Sequence, residues 1–368
     1  MPMDRRRFLL SAAGLPLLSV LPVAAAEPGG VRYLSASSDL DGKHYINGFD
    51  DQGRIHYSIP LESRGHGIAL SPDGSKAVAV ARRPGNYLVV FALQNGQVLQ
   101  RLESRPDRHF YGHGLFSADG EWFYTPENDF AKGEGVIGIR DVRQGYRQVG
   151  EFSSHGIGPH EVALLSDGHT LVVANGGIQT HPDTGRAKLN LDSMVSSLSY
   201  INIRDGALLE QCRLEERHRL NSIRHLSVAP DDQVCCVMQF QGKRTQTPPL
   251  IGLHRRGEEM RLLRAPDAVQ QRMRNYCGSA CIDLSGEVFA VSSPRGNLVS
   301  FWRAGEGAYL GMAELQDGCG IGMGEQPGEF LLSSGEGVIC RYRLVDGTMQ
   351  RIASGESGYR WDNHMIRV

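Results

Sequence analysis

Six side chains that can bind a metal ion recur at one position of a repeated segment, about every 50 residues along the chain. These ring residues are His66, His113, His160, His225, Cys319 and His364. Histidine makes up only 13 of 368 residues, so five matches at one repeat position are not a chance pattern. Imidazole binds zinc, copper, iron and nickel, and a thiolate shifts the preference toward softer ions. The pattern predicts a transition-metal site, in which one ion takes about four to six ligands.

A purely structural or water-filled histidine ring is the alternative. Imidazoles crowded around one axis repel each other when charged, and they need hydrogen-bond partners when buried. A bound metal ion removes both problems. Glu161, which follows His160 directly, is a candidate ligand or orienting carboxylate. His109 and His155 lie shortly before two ring residues and are weaker candidates.

The ring residues begin segments of similar sequence, in which a short apolar strand is followed by a turn. The segments are residues 64–74, 111–120, 158–168, 223–232, 278–286, 318–323 and 361–368. In the fifth segment, Gly278 or Ser279 takes the place of the histidine. Each unit predicts four strands, which in the first unit are residues 67–71, 77–81, 87–93 and 98–102, with Asn95 and Gly96 as a hairpin turn.

The last unit contains only its first strand. The three strands that it lacks are predicted near the other end of the chain, at residues 31–36, 44–49 and 54–59. Pairing them with the last strand closes the array and removes its open edges. The sequence therefore predicts an all-β fold, a seven-bladed β-propeller over residues 27–368. The alternative folds are a pair of β-sandwiches and an open solenoid. Neither explains why the last unit is completed by strands from the start of the chain.

In a propeller, the first strand of each blade starts at one mouth of the central channel. The connections between second and third strands lie on the same face and carry basic residues: Arg82, Arg83, Lys132, Arg186, Lys188, Lys243, Arg244 and Arg295. The longest connection, residues 176–197, is predicted to fold over the ring residues, and its Arg186 and Lys188 are the predicted cofactor-binding residues. A basic rim attracts an anionic ligand, such as an anionic metal complex. The alternative is that these connections are ordinary polar loops, in which acidic residues reduce the positive charge.

Residues 1–26 are predicted to be a twin-arginine signal peptide. Arg5, Arg6 and Arg7 precede Phe8-Leu9 and an apolar stretch, and Ala24-Ala25-Ala26 suits a cleavage site. We therefore expect a periplasmic protein without a membrane span after cleavage. The net charge of −2 gives no indication of nucleic-acid binding, and seven cysteines, an odd number, argue against a disulfide framework. No hydrolase, nucleotide-binding or Cys-x-x-Cys motif is present, so no catalytic residue is assigned.

The leader, the His-Gly strand starts at His66 and His113 and the motifs of the insertion resemble an uncharacterised family of twin-arginine-exported bacterial propeller proteins. The insertion motifs are Gly176-Gly177, Thr180-His181-Pro182, Gly185-Arg186 and Lys188-Leu189-Asn190. Members of that family tend to be encoded beside imelysin-type iron-uptake proteins, which implies a periplasmic role in iron acquisition with such proteins as partners. The ring also resembles, more distantly, the propeller of nitrous oxide reductase, in which histidines hold a copper cluster. Here one ring position is cysteine and no cupredoxin domain follows the propeller.

These observations favour a periplasmic metal-binding propeller that serves iron or copper acquisition, as a metal chaperone or as a metal-redox enzyme. The expected cofactor is a transition metal ion, with iron or copper favoured. A non-catalytic protein-interaction scaffold with a structural histidine ring is the alternative from another class. A hydrolase or lyase that uses a divalent ion is a third interpretation.

Overall fold

Short apolar strands alternate with glycine-containing turns throughout the computed structural model, which describes residues 30–185, 187–353 and 358–368. The strands form seven antiparallel sheets, the blades. Each innermost strand contacts the innermost strands of the two neighbouring blades, and the last contacts the first. The prediction of a seven-bladed β-propeller is confirmed. The predicted signal peptide, residues 1–26, lies outside the described residues.

The strands of the first three blades follow the chain in order. β1 to β3 are Tyr33–Asp39, His44–Phe49 and Ile55–Leu61. Blade 1 contains β4 to β7, which are Gly65–Leu70, Lys76–Ala81, Tyr87–Ala92 and Val98–Glu103. Blade 2 contains β8 to β12, which are Arg108–Phe110, Leu115–Phe116, Trp122–Asp129, Glu134–Asp141 and Arg147–Ser153. Blade 3 contains β13 to β16, which are Pro159–Leu164, Thr170–Asn175, Ser197–Asn202 and Leu208–Arg213.

The remaining blades repeat this order. Blade 4 contains β17 to β20, which are Asn221–Val228, Val234–Phe240, Ile251–His254 and Arg261–Leu263. Blade 5 contains β21 to β24, which are Ser279–Ile282, Val288–Ser293, Leu298–Arg303 and Tyr309–Glu314. Blade 6 contains β25 to β28, which are Gly318–Met323, Glu329–Ser334, Ile339–Arg343 and Thr348–Ala353. Blade 7 contains β29, Tyr359–Arg367, followed by β1, β2 and β3.

The seam of the propeller joins the two ends of the described chain. In blade 7, β29 pairs antiparallel with β1, so that Leu34 lies opposite Ile366 and Tyr33 opposite Arg367. The backbone N–H of Val368 donates to the carbonyl of Arg32 (2.8 Å), which extends the pairing. This arrangement is the predicted completion of the last unit by the first strands.

The hydrophobic core lies between blades. Alternate side chains of a strand point to opposite faces of the sheet, and β5 shows the result. Ala77 and Ala79 pack against blade 7, whereas Val78 and Val80 pack against blade 2. Each blade thus supplies one half of two interblade cores, which leaves the inner ends of the strands free to line the channel.

Helices are few among the described residues. The α-helix α1, Asp267–Arg272, follows β20, and single 3-10 turns occur at Pro182–Thr184, Leu191–Ser193, Glu216–His218 and Pro294–Gly296. In the part of the chain that the structure describes, no helix is long and apolar enough to cross a membrane. All seven cysteines are free thiols.

Candidate metal centre

The histidines of blades 1 and 3 stand where the innermost strand departs from regular pairing. Between β4 and β5 the pairing passes from Gly65 directly to Ile68, so His66 is left outside the ladder. Between β13 and β14, the pairing skips His160. A β-bulge of this kind bends the strand and redirects a side chain. These local irregularities turn both imidazoles toward the channel axis.

In blades 2, 4 and 7, the histidine also lies at or next to an interruption of regular strand pairing. His113 lies in the break between β8 and β9. A register shift directly precedes His225 in β17, and His364 lies in the stretch of β29 that shifts register against β1. In blade 5, the inner strand β21 pairs with β22 without a register shift, and Ser279 stands at the equivalent position. The blade with a regular inner strand is thus the one that supplies no metal-binding side chain at that position.

The five imidazoles of His66, His113, His160, His225 and His364 form one group, which we call the histidine cluster. Centroids of contacting rings are 4.4 to 5.9 Å apart, with the shortest separation between His66 and His364 and the longest between His66 and His160. His66 approaches the four other rings, within 5.9 Å. The repeat position therefore does converge on one point of the axis.

Two carboxylates orient three of the imidazoles. Glu161 Oε2 lies 2.9 Å from His225 Nδ1 and accepts the backbone N–H of Leu226 at 3.1 Å, while its Oε1 lies 3.5 Å from His113 Nδ1. On another side, Asp362 Oδ1 lies 3.2 Å from His66 Nδ1. A carboxylate on one nitrogen of an imidazole fixes the ring and leaves the other nitrogen for a metal ion.

Three nitrogens of the cluster are buried and have no hydrogen-bond partner among the described residues. They are His113 Nε2, His160 Nδ1 and His364 Nε2. Buried polar groups in folded proteins are nearly always hydrogen-bonded, because an unpaired one costs about 1–3 kcal/mol. Three such atoms on one axis fit a site whose remaining partner is a metal ion.

The electrostatics of the cluster favour neutral imidazoles. Burial, together with the neighbouring imidazoles, holds the pKa values of His113, His160, His225 and His364 well below their usual range. Burial also raises the pKa of Glu161 to about 8, against the opposing hydrogen bond from Leu226. Neutral imidazole is the form that binds metal ions, so the imidazoles are available as ligands at neutral pH, whereas Glu161 must release a proton when it binds an ion.

Two overlapping sets of donor atoms have metal-site dimensions. One set is His66, His113, His160 and His225, and the other is His113, Glu161, His225 and His364, with the donor atoms of each set within 4.8 Å of one another. Metal–nitrogen bonds of about 2.1 Å allow two ligands of one ion to be at most about 4.2 Å apart. Small side-chain adjustments would therefore bring either set onto one ion. The donors are nitrogen and carboxylate oxygen, which suit iron, zinc and copper(II).

Cys319 does not join the histidine cluster, contrary to our expectation of a sixth ring member. Its inner strand β25 also shifts register, but the thiol donates to the carbonyls of Trp361 (3.3 Å) and Ser333 (3.6 Å). The side chain packs in the core between blades 6 and 7, and burial raises its pKa. Among the described residues, neither set of donor atoms includes it.

The two weaker candidates also have other partners. His109 contacts Asn128 (2.9 Å) and the carbonyl of Phe110 (3.0 Å) through its two ring nitrogens. His155 Nε2 lies 3.0 Å from the carbonyl of Gly206, in the neighbouring hairpin turn. Both are held by structural hydrogen bonds outside the histidine cluster.

Two cavities of different polarity flank the histidine cluster. On the side of the second-to-third-strand connections, His66, His160 and His225 form the floor of a polar cavity of about 290 Å³, the mouth cavity. On the other side, His113, Glu161 and His364 face a channel of about 530 Å³, the strand channel, which is lined mainly by strand residues such as Ile68, Val162 and Ile321. The cluster therefore separates a polar space from one whose wall is formed by apolar and polar residues together.

The predicted basic rim is partly present at the mouth cavity. Arg82, Arg83, Lys188 and Arg295 line it. Lys188 comes from the long connection of blade 3, which therefore reaches over the cluster as predicted. Lys132, Lys243 and Arg244 are not among the lining residues, and Lys132 is paired with Asp129 (3.5 Å). Arg186 lies outside the described residues.

Comparison with known proteins identifies the family. The family model described as "Protein of unknown function (DUF1513)" matches residues 59–368. The chain belongs to this family. No curated protein sequence matches it. Among solved structures, hydrazine synthase of Kuenenia stuttgartiensis is similar, with a TM-score of 0.59, 14% identity, and coverage of 92% of this chain and 99% of that chain. At this identity the similarity shows the propeller fold alone.

Sequence reasoning missed two charged residues of the site. Arg224, directly before His225, lines the mouth cavity, and Asp362 contacts His66 while pairing with Arg64 and Arg82. Burial alone would raise the pKa of Asp362, but His66, Arg82 and Arg64 hold it well below the usual value. Both residues are immediate or near neighbours of ring residues, and that proximity was the available signal.

Proposed function

We propose that this chain is a periplasmic metal-binding propeller that serves the acquisition of iron or copper, as a metal chaperone or as a metal-redox enzyme. The observation that carries the metal-binding part is the histidine cluster: five imidazoles around one point, with three buried nitrogens that have no other partner. The carboxylate of Glu161 completes a nitrogen and oxygen donor set. Such donors support iron or copper(II) over copper(I), which prefers sulfur.

The finer parts of the proposal rest on the sequence. The twin-arginine pattern at Arg5-Arg6-Arg7 supports export to the periplasm. The resemblance to exported propellers encoded beside imelysin-type proteins supports a role in iron uptake, with such proteins as partners. Oxidation state governs how iron is handled during uptake, so a redox activity at the cluster and simple metal transfer are both consistent with this role.

Elemental analysis of the natively exported protein tests the metal. We expect iron or copper at a near-stoichiometric level, lost on dialysis against a chelator and regained when the single metal is added back. Incubation with ferrous or cuprous ion in air then separates the two forms of the proposal. Continuous turnover indicates a redox enzyme, and stoichiometric uptake without turnover indicates a chaperone.

A structural histidine ring in a protein-interaction scaffold is the competing function. In such a scaffold, buried water rather than a metal ion would be the partner of the three cluster nitrogens that have no protein partner among the described residues. A natively exported protein that carries no transition metal and takes up none after purification would favour the scaffold.

A further inference from the structure

The mouth cavity concentrates positive charge directly above the histidine cluster. Five cationic side chains line it: Arg82, Arg83, Lys188, Arg224 and Arg295. No carboxylate lines it among the described residues. Asp362, which contacts His66, pairs with Arg64 and lies 3.6 Å from Arg82. Among the described residues, Lys188, Arg224 and Arg295 form no salt bridge, and no carboxylate faces them in the cavity.

Arg224 is the buried member of this group. Its residue is 8% exposed, and its Nε donates to Ser222 Oγ at 2.8 Å. Within the described part of the chain, its two terminal nitrogens have no hydrogen bond, although the residue lines the mouth cavity. A guanidinium held by its Nε presents the fork of donors that matches a carboxylate or phosphate.

Two exposed cations complete the cavity from opposite sides. Arg295 stacks on the ring of Tyr276, with 4.2 Å between the guanidinium carbon and the ring centroid, which holds the charge in place. Lys188 reaches in from the long connection of blade 3. Its pKa is lowered by burial and then by the charges of Arg224, Arg295 and Arg83, so these cations act on one another across the cavity. An anion placed between them relieves this repulsion.

We propose that the mouth cavity binds a small oxyanion with at least two negative charges, held by Arg224, Arg295 and Lys188 above the histidine cluster. The inference deepens the proposed function and rests on it for the metal ion beneath the anion. The volume of about 290 Å³ lies at the lower end of ligand pockets, which suits inorganic phosphate or a small polycarboxylate. The shared chemistry is a compact group of anionic oxygens, which the cations bind on one side while a metal ion binds on the other.

Calorimetric titration of the full mature chain with phosphate and, separately, with citrate tests this assignment. Each titration is made on metal-free and on metal-loaded protein at low ionic strength. The test variant is Lys188→Gln/Arg295→Gln, which changes two exposed residues and leaves the blade cores intact. The matched control is Lys132→Gln, which removes a cation from the same face outside the mouth cavity. Arg224→Gln is the second test variant.

We expect metal-free protein to bind at least one of the two anions, and both test variants to weaken binding about tenfold or more, as expected for lost charge-assisted hydrogen bonds. Lys132→Gln is expected to bind like the unaltered protein. The stronger of the two titrations identifies the oxyanion as phosphate or polycarboxylate.

Absence of binding by either anion, or equal weakening by the control variant, would overturn the inference. These results are independent of the metal. A protein that binds anions through Lys188 and Arg295 but takes up no transition metal keeps the anion site and loses the proposed function. A protein that binds metal but neither anion keeps the proposed function and loses the anion site.

Discussion

Individual imidazoles of the histidine cluster are held in different ways. His66 and His225 have a carboxylate on Nδ1, at 3.2 and 2.9 Å. His160 and His364 each have a buried nitrogen without a partner. Removal of the His66 or His225 imidazole takes one hydrogen-bond partner from a buried carboxyl group, whereas removal of His160 does not. The choice of variant therefore decides whether an experiment reports on metal binding or on folding.

Replacement of His113 and His160 by alanine is expected to weaken metal binding strongly while the protein stays folded. Both residues belong to the set that also contains His66 and His225. Loss of an outer-shell partner alone costs about 10–100-fold in affinity, so loss of two direct ligands is expected to cost at least that. Competition with a chelator of known affinity measures the change. His155→Ala is the control, and unchanged stoichiometry in the double variant would make the cluster structural.

Acidification is expected to destabilise the metal-free protein. Burial lowers the pKa values of all five cluster imidazoles, so the unfolded chain takes up protons near pH 6.5 while the folded protein does not. The free energy of unfolding therefore decreases as the pH is lowered below about 6.5, by up to about 1.4 kcal/mol per pH unit for each imidazole. Glu161, with its pKa raised from 4.5 to about 8, acts in the opposite direction but is one group against five.

Chemical denaturation of metal-free protein between about pH 7 and pH 5 measures this dependence. The His113→Ala/His160→Ala variant lacks two of the five imidazoles and is expected to show a shallower loss of stability. His155→Ala is expected to keep the slope of the unaltered protein. Parallel slopes for all three proteins would show that the cluster imidazoles titrate normally in the folded state.

At the scale of strands, glycines beside the bulges allow the imidazoles to approach. A Cβ atom on Gly67 would lie 2.7 Å from the carbonyl oxygen of Gly112 and 2.8 Å from His113 Nδ1. The Gly67 N–H also donates to that carbonyl, at 2.7 Å. The inner strands of blades 1 and 2 therefore touch directly at Gly67 and Gly112. This close contact requires a residue without a side chain at position 67.

Gly67→Ala is therefore expected to weaken metal binding without removing any ligand, because blade 1 and His113 must move apart. Overpacking of this kind typically costs about 1–3 kcal/mol of stability. Gly150→Ala is the matched control, since a Cβ there meets only Ile139 Cδ1 at 3.5 Å. Thermal melting and metal titration of both variants give the result, and equal behaviour of the two would show that this contact does not require glycine at position 67.

The strand scale also shows what the sequence could and could not predict. Turn glycines and apolar runs recur in every blade, so strands and seam were predictable close to their observed bounds. Bulges depend on how two strands pair, which repeat spacing does not reveal. Cys319 illustrates the limit: it occupies the repeat position, yet the carbonyls of Trp361 and Ser333 hold its thiol between two blades. Arg224 shows the converse, since it lies outside the repeated pattern but lines the mouth cavity.

For the whole molecule, closure depends on one strand pair. Deletion of Asn363 to Val368 removes three of the six residue pairs that join β29 to β1, together with His364. Two sheet edges then become unpaired, so we expect aggregation or a large fall in melting temperature. Deletion of Val368 alone, which removes only its hydrogen bond to Arg32, is the control. A melting temperature unaffected by the longer deletion would show that the seam does not support the ring.

The different cavities on the two sides of the histidine cluster give a bound ion two unequal approaches. From the mouth cavity, a charged ligand meets Arg224, Arg295 and Lys188 before it meets the imidazoles. From the strand channel, the approach passes Ile68, Val162 and Ile321, and no lysine or arginine lines it among the described residues. The histidine cluster thus lies between two cavities whose linings differ in charge. An ion held there would therefore meet an anion more readily from the mouth cavity than from the strand channel.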